Sequence, residues 1–398
     1  MKNTLRLYLI MVLVGCIIHP TFLFAANPGD PHIIYINLKL KKAAPVSVIK
    51  AALKYNKQLA FSFTLDDGYR SAYLTAFPLL NGGKINGPSP DEWRNDEGGD
   101  GSYSKGLFYS DGCHHNVPFR IAEAINAGNI TDQFESRGHL SWAEVKALYN
   151  GGWDILNHGY HHATKHGTDF NYEVQQNITT VKQQMGFTMT QFVVPGGESD
   201  PGYEHDYERS AIKYGNNAVA SIKGVGPVIP VAAPVNLTAI IYARDFIQSV
   251  GSDDNHNTAN RSLKLLDSIM RLNKPVWFNE FSHGTGNSNL WGLSMRFPEF
   301  KYYMTSIAQK YGAAGKDNIW MAPWQEVYEY IWLRDRVKIS TVKHGKQVVV
   351  KIEVPELPVG FRHKAISLVV KTSTDFTISP QNSDMKITNN GPLINLEL

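Results

Sequence analysis

The chain has 398 residues, 43% of them hydrophobic, and a formal net charge of +3. That length holds one large domain with a small companion, or two of ordinary size. The near balance of charge, with no long charged run, gives no support to a nucleic-acid or polyanion partner.

Residues 1–26 read as an export signal: Lys2 and Arg6, the apolar run Leu7–Gly15, then a second apolar patch ending Phe24-Ala25-Ala26. Cleavage after Ala25 or Ala26 predicts a secreted or periplasmic protein. Leu13-Val14-Gly15-Cys16 is also similar to a bacterial lipobox, and the alternative is a lipid anchor at Cys16 on the cell surface or outer membrane. The residues after Cys16 stay apolar, which favours ordinary cleavage. No later stretch is long and apolar enough to span a membrane. Beyond the leader only Cys113 remains, so no intrachain disulfide is expected.

A short strand, Ile33–Leu38, precedes an expected helix at Val46–Tyr55. Phe61–Leu65 then alternates apolar and small polar residues, the period of a half-buried strand, and runs into Asp66-Asp67-Gly68. Helical spacing resumes over Tyr69–Leu80. Residues 81–105 form a long loop rich in Gly, Pro, Asn and Asp, a length that goes with function or with poor order. Ser141 and Glu144 form a capping box opening a helix to about Tyr149. A strand at Trp153–Leu156 leads into Asn157-His158-Gly159-Tyr160-His161-His162.

Helix Tyr172–Gln184, strand Gln191–Val194 ended by Pro195-Gly196-Gly197, and helix Tyr207–Tyr214 come next. Strands near Ala218–Ile222 and Ala239–Tyr242, helix Arg261–Arg271 and strand Val276–Phe281 follow, the last ending at Ser282-His283-Gly284. Helix Phe300–Tyr311, strand Ile319–Ala322 and helix Trp324–Leu333 complete this part. Strands alternating with helices, with polar residues at the strands' C-terminal ends, predict a distorted (β/α) barrel with its site on that face. From Val337 the period becomes two throughout, which predicts a small all-β sandwich. The expected division is a leader at 1–26, a barrel domain at 27–335 and a β-sandwich module at 336–398.

Asp66 and Asp67 end one strand pointing in different directions, and Gly68 bends the chain away above them. The tripeptide by itself fits equally a turn that closes a strand. His158 and His162, four apart, fall on one face if the chain turns helical after its strand. Two imidazoles and a carboxylate suit a catalytic zinc with one open position. His161 is the alternative at spacing three, with His114, His115 and His166 as further histidines nearby. His283 ends a later strand where a barrel presents catalytic groups.

Thr64-Leu-Asp66-Asp67-Gly68 and His158-Gly-Tyr-His-His162 resemble the first two motifs of the polysaccharide deacetylases, the NodB homology or carbohydrate esterase 4 family. Their usual forms are Thr-Phe-Asp-Asp-Gly and His-Ser/Thr-x-x-His/Asp. The stretch from Asp317 to Ile331 is similar as well, so the likeness spans roughly residues 55–332. The resemblance implies a metal-dependent hydrolase, with Zn2+ the expected ion, that removes acetyl groups from a carbohydrate. An amino-sugar N-acetyl group is the first expectation and an O-acetyl ester the second. It implies Asp67, His158 and His162 as metal ligands, Asp66 as general base and His283 as general acid. A backbone N–H near Pro195-Gly196 suits an oxyanion.

Two departures stand out. The family's third motif, Arg-x-Pro-Phe/Tyr, is here Val193-Val194-Pro195-Gly196, without its arginine and its aromatic. Arg244-Asp245, after the Ala239–Tyr242 strand, is the candidate replacement: Arg244 for the missing arginine, Asp245 to orient His283. A surface ion pair is the plainer reading of those two. A glycan-binding protein without turnover is the alternative of a different class.

Overall fold

The computed structural model describes residues 32–90, 95–130, 138–165, 167–196, 203–231, 235, 237, 241–250, 255–289, 292–380 and 385–398. The leader with Cys16, His166, Gly197 and the start of the expected Ala239–Tyr242 strand lie outside them. No described helix is long and apolar enough to cross a membrane.

The strand Leu59–Asp66 is buried along its whole length, more than the half-buried strand its alternation predicts. It is the centre of a ten-stranded sheet. Val276–Ser282 runs parallel along one edge, and Ile319–Met321 and Ala122–Ile125 share the other. Beyond them come Asp154–Asn157, Gln191–Val193, Ala218–Ser221 and Ile241–Ala243, all parallel. One residue later, Asp245–Phe246 pairs with Val276–Ser282. Residues 241–246 therefore seam the two sides of the curled sheet, and Arg244 stands at the seam.

Phe61 and Phe63 face outward onto Tyr303 and Phe300 of the helix Phe297–Tyr311. Ser62 faces inward and accepts a hydrogen bond from Trp277 Nε1 at 3.0 Å. Both faces of the strand are covered because the sheet curls round its own polar side, as parallel sheets do when helices cover the other. The capping box at Ser141 and Glu144 forms, opening the helix Trp142–Asn150. The remaining helices lie within a few residues of their expected positions.

The two ends of the chain depart from expectation. Val46–Lys50 is a strand, not a helix, and pairs antiparallel with Ala365–Thr372. Its β-branched Val46, Val48 and Ile49 prefer extended backbone. His32–Leu40 lies between Gln347–Val354 and Phe376–Pro380, so neither strand belongs to the barrel. The strands after residue 337 thus join two from the N-terminal side in two four-stranded antiparallel sheets. Ile34, Ile36, Val350 and Ile352 of one sheet and Ile366, Leu368, Ile394 and Leu396 of the other share one apolar cluster. A boundary at 335 misplaces residues 32–50. Several strands, among them Ala122–Ile125, Val228–Pro230 and Leu393–Glu397, have no counterpart among the expected elements.

Candidate metal and catalytic site

The site lies at the C-terminal ends of the barrel strands. Asp66 is the last residue of its strand and points inward, 2% exposed. Asp67 then takes φ +79° and Gly68 φ +72°. Left-handed backbone costs an aspartate about 1 kcal/mol or more, a strain that functional turns carry. A Cβ on Gly68 would also come within 3.0 Å of Ile130 Cδ1. The turn aims the Asp67 carboxylate at two histidines: Oδ1 lies 3.3 Å from His158 Nε2 and 3.3 Å from His162 Nε2.

His158 follows the strand Asp154–Asn157 directly. Its backbone N–H donates to the Ile125 carbonyl, and its Nδ1 donates to the Val193 carbonyl at 2.8 Å. With Nδ1 so engaged, the lone pair of Nε2 faces Asp67, the tautomer a metal ligand needs. The segment to His162 is a loop, not the helical turn expected. Asn126 donates to the carbonyls of His158 and Gly159, and Asn157 Oδ1 accepts from Gly159 N and Asn177 Nδ2. Gly159 and His162 both have positive φ, at +73° and +58°. This curl brings the rings of His158 and His162 to 5.1 Å, centre to centre. The same loop removes His161 from the site, because its N–H and Nδ1 are both held by Glu173. His115 is bonded to Asp111.

Asp67, His158 and His162 offer one ligand atom each, all within 4.8 Å of one another. Burial pushes the Asp67 carboxyl up, but the close approach of His158 and the charges of His158, His162 and His283 outweigh it, and the group sits well below the usual carboxylate range. Burial pulls His158 down, yet Asp67 and Asp66 raise it overall; at His162 burial and the neighbouring His158 win and lower it. Asp67 Oδ1 is buried and has no hydrogen-bond partner. An orphaned carboxylate oxygen between two imidazole nitrogens is a donor set that suits a divalent cation.

Asp66 is held from the seam. Arg244 Nη1 and Nη2 each donate to one of its carboxylate oxygens at 2.8 Å, a charge-assisted fork. The guanidinium lies 4.1 Å from the centre of the Phe281 ring, and Arg244 is 4% exposed. This is a buried pair, not the surface ion pair of the plainer reading. Asp245, one residue on, faces the opposite side of the sheet, as neighbours in a strand must. It lies in register with Glu280, near Arg261 of the outer helices. It therefore does not orient His283. That ring is set by the Leu293 carbonyl, 3.1 Å from Nδ1, which leaves Nε2 3.9 Å from Asp67 Oδ2.

Several residues at the site carried no signal in the sequence. Tyr69 stacks on His139 at 5.2 Å beside Asp67, giving the site an aromatic wall near the Asp67–His158–His162 cluster. Glu97, on the long loop after residue 81, accepts from Ser71 N, and burial pushes its carboxyl up to about 7. Glu123, on the unexpected strand Ala122–Ile125, pairs in register with Leu65 under the Asp67–Gly68 turn. Burial, reinforced by Asp66 and Asp67, raises it well above its ordinary value. Its strand, Ala-Glu-Ala-Ile, is too short and too little patterned to be read locally.

No protein-family model matches the chain, and no curated protein does. Among solved structures it is similar to the Streptococcus pyogenes deacetylase PplD in complex with acetate, at 12% identity over 46% of this chain and 63% of that one, with a TM-score of 0.30. It is similar to IcaB from Ammonifex degensii, at 17% identity over 40% of this chain and 58% of that one, with a TM-score of 0.27. A family 4 carbohydrate esterase from Streptomyces lividans in complex with acetate matches at 15% identity over 65% of this chain and 90% of that one, with a TM-score of 0.32. The chain spans less than two thirds of the length of the first two. These are partial likenesses in the course of the backbone.

Proposed function

We propose that the protein is an exported, metal-dependent hydrolase that removes acetyl groups from a glycan, by first preference the N-acetyl group of an amino sugar. The observation that carries the reading is the orphaned Asp67 Oδ1 between His158 and His162 Nε2, with Asp66 fixed beside it by Arg244. Asp67, His158 and His162 would hold the ion, by preference Zn2+. When bound, it would polarise the acyl carbonyl and lower the pKa of water. Asp66 accepts the proton of the attacking water: each of its oxygens keeps a lone pair beyond the one Arg244 takes. His283, its Nδ1 fixed by Leu293, presents Nε2 to the site and protonates the leaving amine or alcohol from there. A backbone N–H at Gly196 is the candidate oxyanion donor.

Arg244 favours turnover over a binding-only role. The arginine absent at Val193 has a spatial substitute on another strand, and a site that only bound glycan would have no use for a forked base. The test is metal content and acetate release on wild type and Asp67→Ala, with acetylated chito-oligosaccharides and acetylated xylan. We expect one equivalent of zinc in wild type, lost in the variant together with acetate release; the polymer that yields acetate identifies the bond. A wild-type protein that takes up no metal would sink the hydrolase.

A further inference from the structure

On the far side of the barrel from this site, where it meets the β-sheets, lies a cavity of about 380 Å3, a size that sugar-like ligands fill. Lys54, Asp111, His115 and Arg120 line it from the barrel and its entry segment, and Lys386 and Glu397 from the β-sheets. Most of this charge is matched internally. Lys54 Nζ bonds Glu326 Oε1 at 2.6 Å, His115 Nδ1 bonds Asp111 Oδ2 at 2.8 Å, and Lys386 Nζ lies 3.4 Å from Glu397 Oε1. Arg120 is the exception. Among the described residues its guanidinium has no ion pair and no hydrogen bond, and its Nε is shut off from solvent without a partner.

Arg120 is also held in place. It crosses Gly152, φ +91°, where a Cβ would meet Nε at 2.7 Å. The glycine leaves the room that the guanidinium takes. A fixed, unpaired fork of N–H donors is matched in shape and charge by a carboxylate or a phosphate. The Glu326 carboxylate is near enough to feel the charge of Arg120 but is bonded to Lys54, so a bound anion would give the guanidinium a partner of its own.

We propose that this cavity binds a small oxyanion-bearing ligand, a sugar acid or a phosphate, seated on Arg120. The site is separate from the barrel mouth and does not depend on the function proposed for it. Calorimetric titration of the full chain with glucuronate, inorganic phosphate and glucose tests it. At least one of the two anions binds, and glucose does not. Arg120→Met weakens that binding by about tenfold or more, the loss expected for a charge-assisted pair. Glu397→Gln, at the exposed rim, removes a like charge facing the ligand and tightens binding, and being exposed it leaves folding intact. Binding of glucuronate assigns a sugar acid, and binding of phosphate alone assigns a phosphate. The proposal is overturned if neither anion binds at tens of millimolar. It is equally overturned if Arg120→Met binds as tightly as wild type, or, should that variant not fold, if Glu397→Gln leaves affinity unchanged.

Discussion

The strand Asp154–Asn157 carries an acid at its start and His158 just past its end, and the two ends of the barrel use the same chemistry to opposite effect. At the floor, Asp154 is fully buried, and its Oδ1 accepts from Arg362 Nη1 at 2.7 Å and His363 Nε2 at 2.8 Å. Its Oδ2 accepts from the backbone N–H of Glu326. Arg362 and His363 come from the segment leading into the β-sheets, so this carboxylate fastens the two parts of the molecule together. At the mouth, Asp67 is as surely surrounded by basic groups, yet its Oδ1 accepts no hydrogen bond. A buried carboxylate with both oxygens hydrogen-bonded is structure; one with an oxygen that accepts nothing between two imidazoles is a candidate site. Acid–base clusters alone do not separate the two, nor does an unpartnered oxygen alone, which Glu326 also has at the floor; an unpartnered oxygen flanked by two imidazole nitrogens does.

If that distinction is right, damage at the mouth and at the floor should separate cleanly. The largest effect is expected from Asp66→Asn: acetate release falls by about 10²–10⁴, the usual contribution of a general base, while metal bound per folded molecule stays at the wild-type level and stability falls, because Arg244 is left buried without its counter-charge. Loss of metal in that variant would mean that Asp66 is a ligand. Next comes Asp154→Ala, which removes the buried carboxylate that the half-buried Arg362 and His363 share and costs about 3 kcal/mol of stability. Urea unfolding measures that loss, and metal bound per folded molecule should not change. Arg244→Lys is milder. It keeps the charge and loses the fork, and about a 10–100-fold fall in acetate release with normal metal content is the scale for a lost orienting partner.

How far the site could be read from the sequence follows from how local each cause is. Asp66, Asp67 and Gly68 were legible because a period-two strand ending in two acids and a glycine is a local pattern. His158 and His162 were legible by spacing, although the spacing works through a loop held by Asn126, Asn157 and Asn177 and not through a helical turn. Arg244 was legible as a strand-end arginine. Asp245 was assigned to the same site although strand alternation sends it to the other face. The strands at both ends of the chain were not legible as partners: His32 pairs with Val354, and no local pattern encodes a contact over more than 300 residues. Glu123 was hidden for the same reason, its role being fixed by the turn on the strand beside it.

The last test addresses the outward face of that seam. Glu280 is fully buried between the sheet and the helices, and Tyr303 OH donates to its Oε2 at 2.6 Å. Burial, with Asp245 adding to it, pushes its carboxyl from 4.5 up to about 8. Asp66 on the inward face has a guanidinium bonded to it; Glu280 has only the unbonded charge of Arg261, which burial outweighs, and is held neutral. Between those two values the folded protein keeps a proton that the unfolded chain has lost, so this group's contribution to stability is full below pH 4.5 and is lost as pH rises to 8. Glu280→Gln mimics the neutral acid, preserves a partner for Tyr303 and cannot titrate. Urea unfolding of both proteins should therefore find them closest near pH 5, with the variant gaining on wild type as the pH is raised to 8. Glu97 and Glu329, each raised to about 7, slope the same way in both proteins and cancel from the difference. A difference that stays constant across the range would show that Glu280 is charged throughout, with Arg261 balancing it.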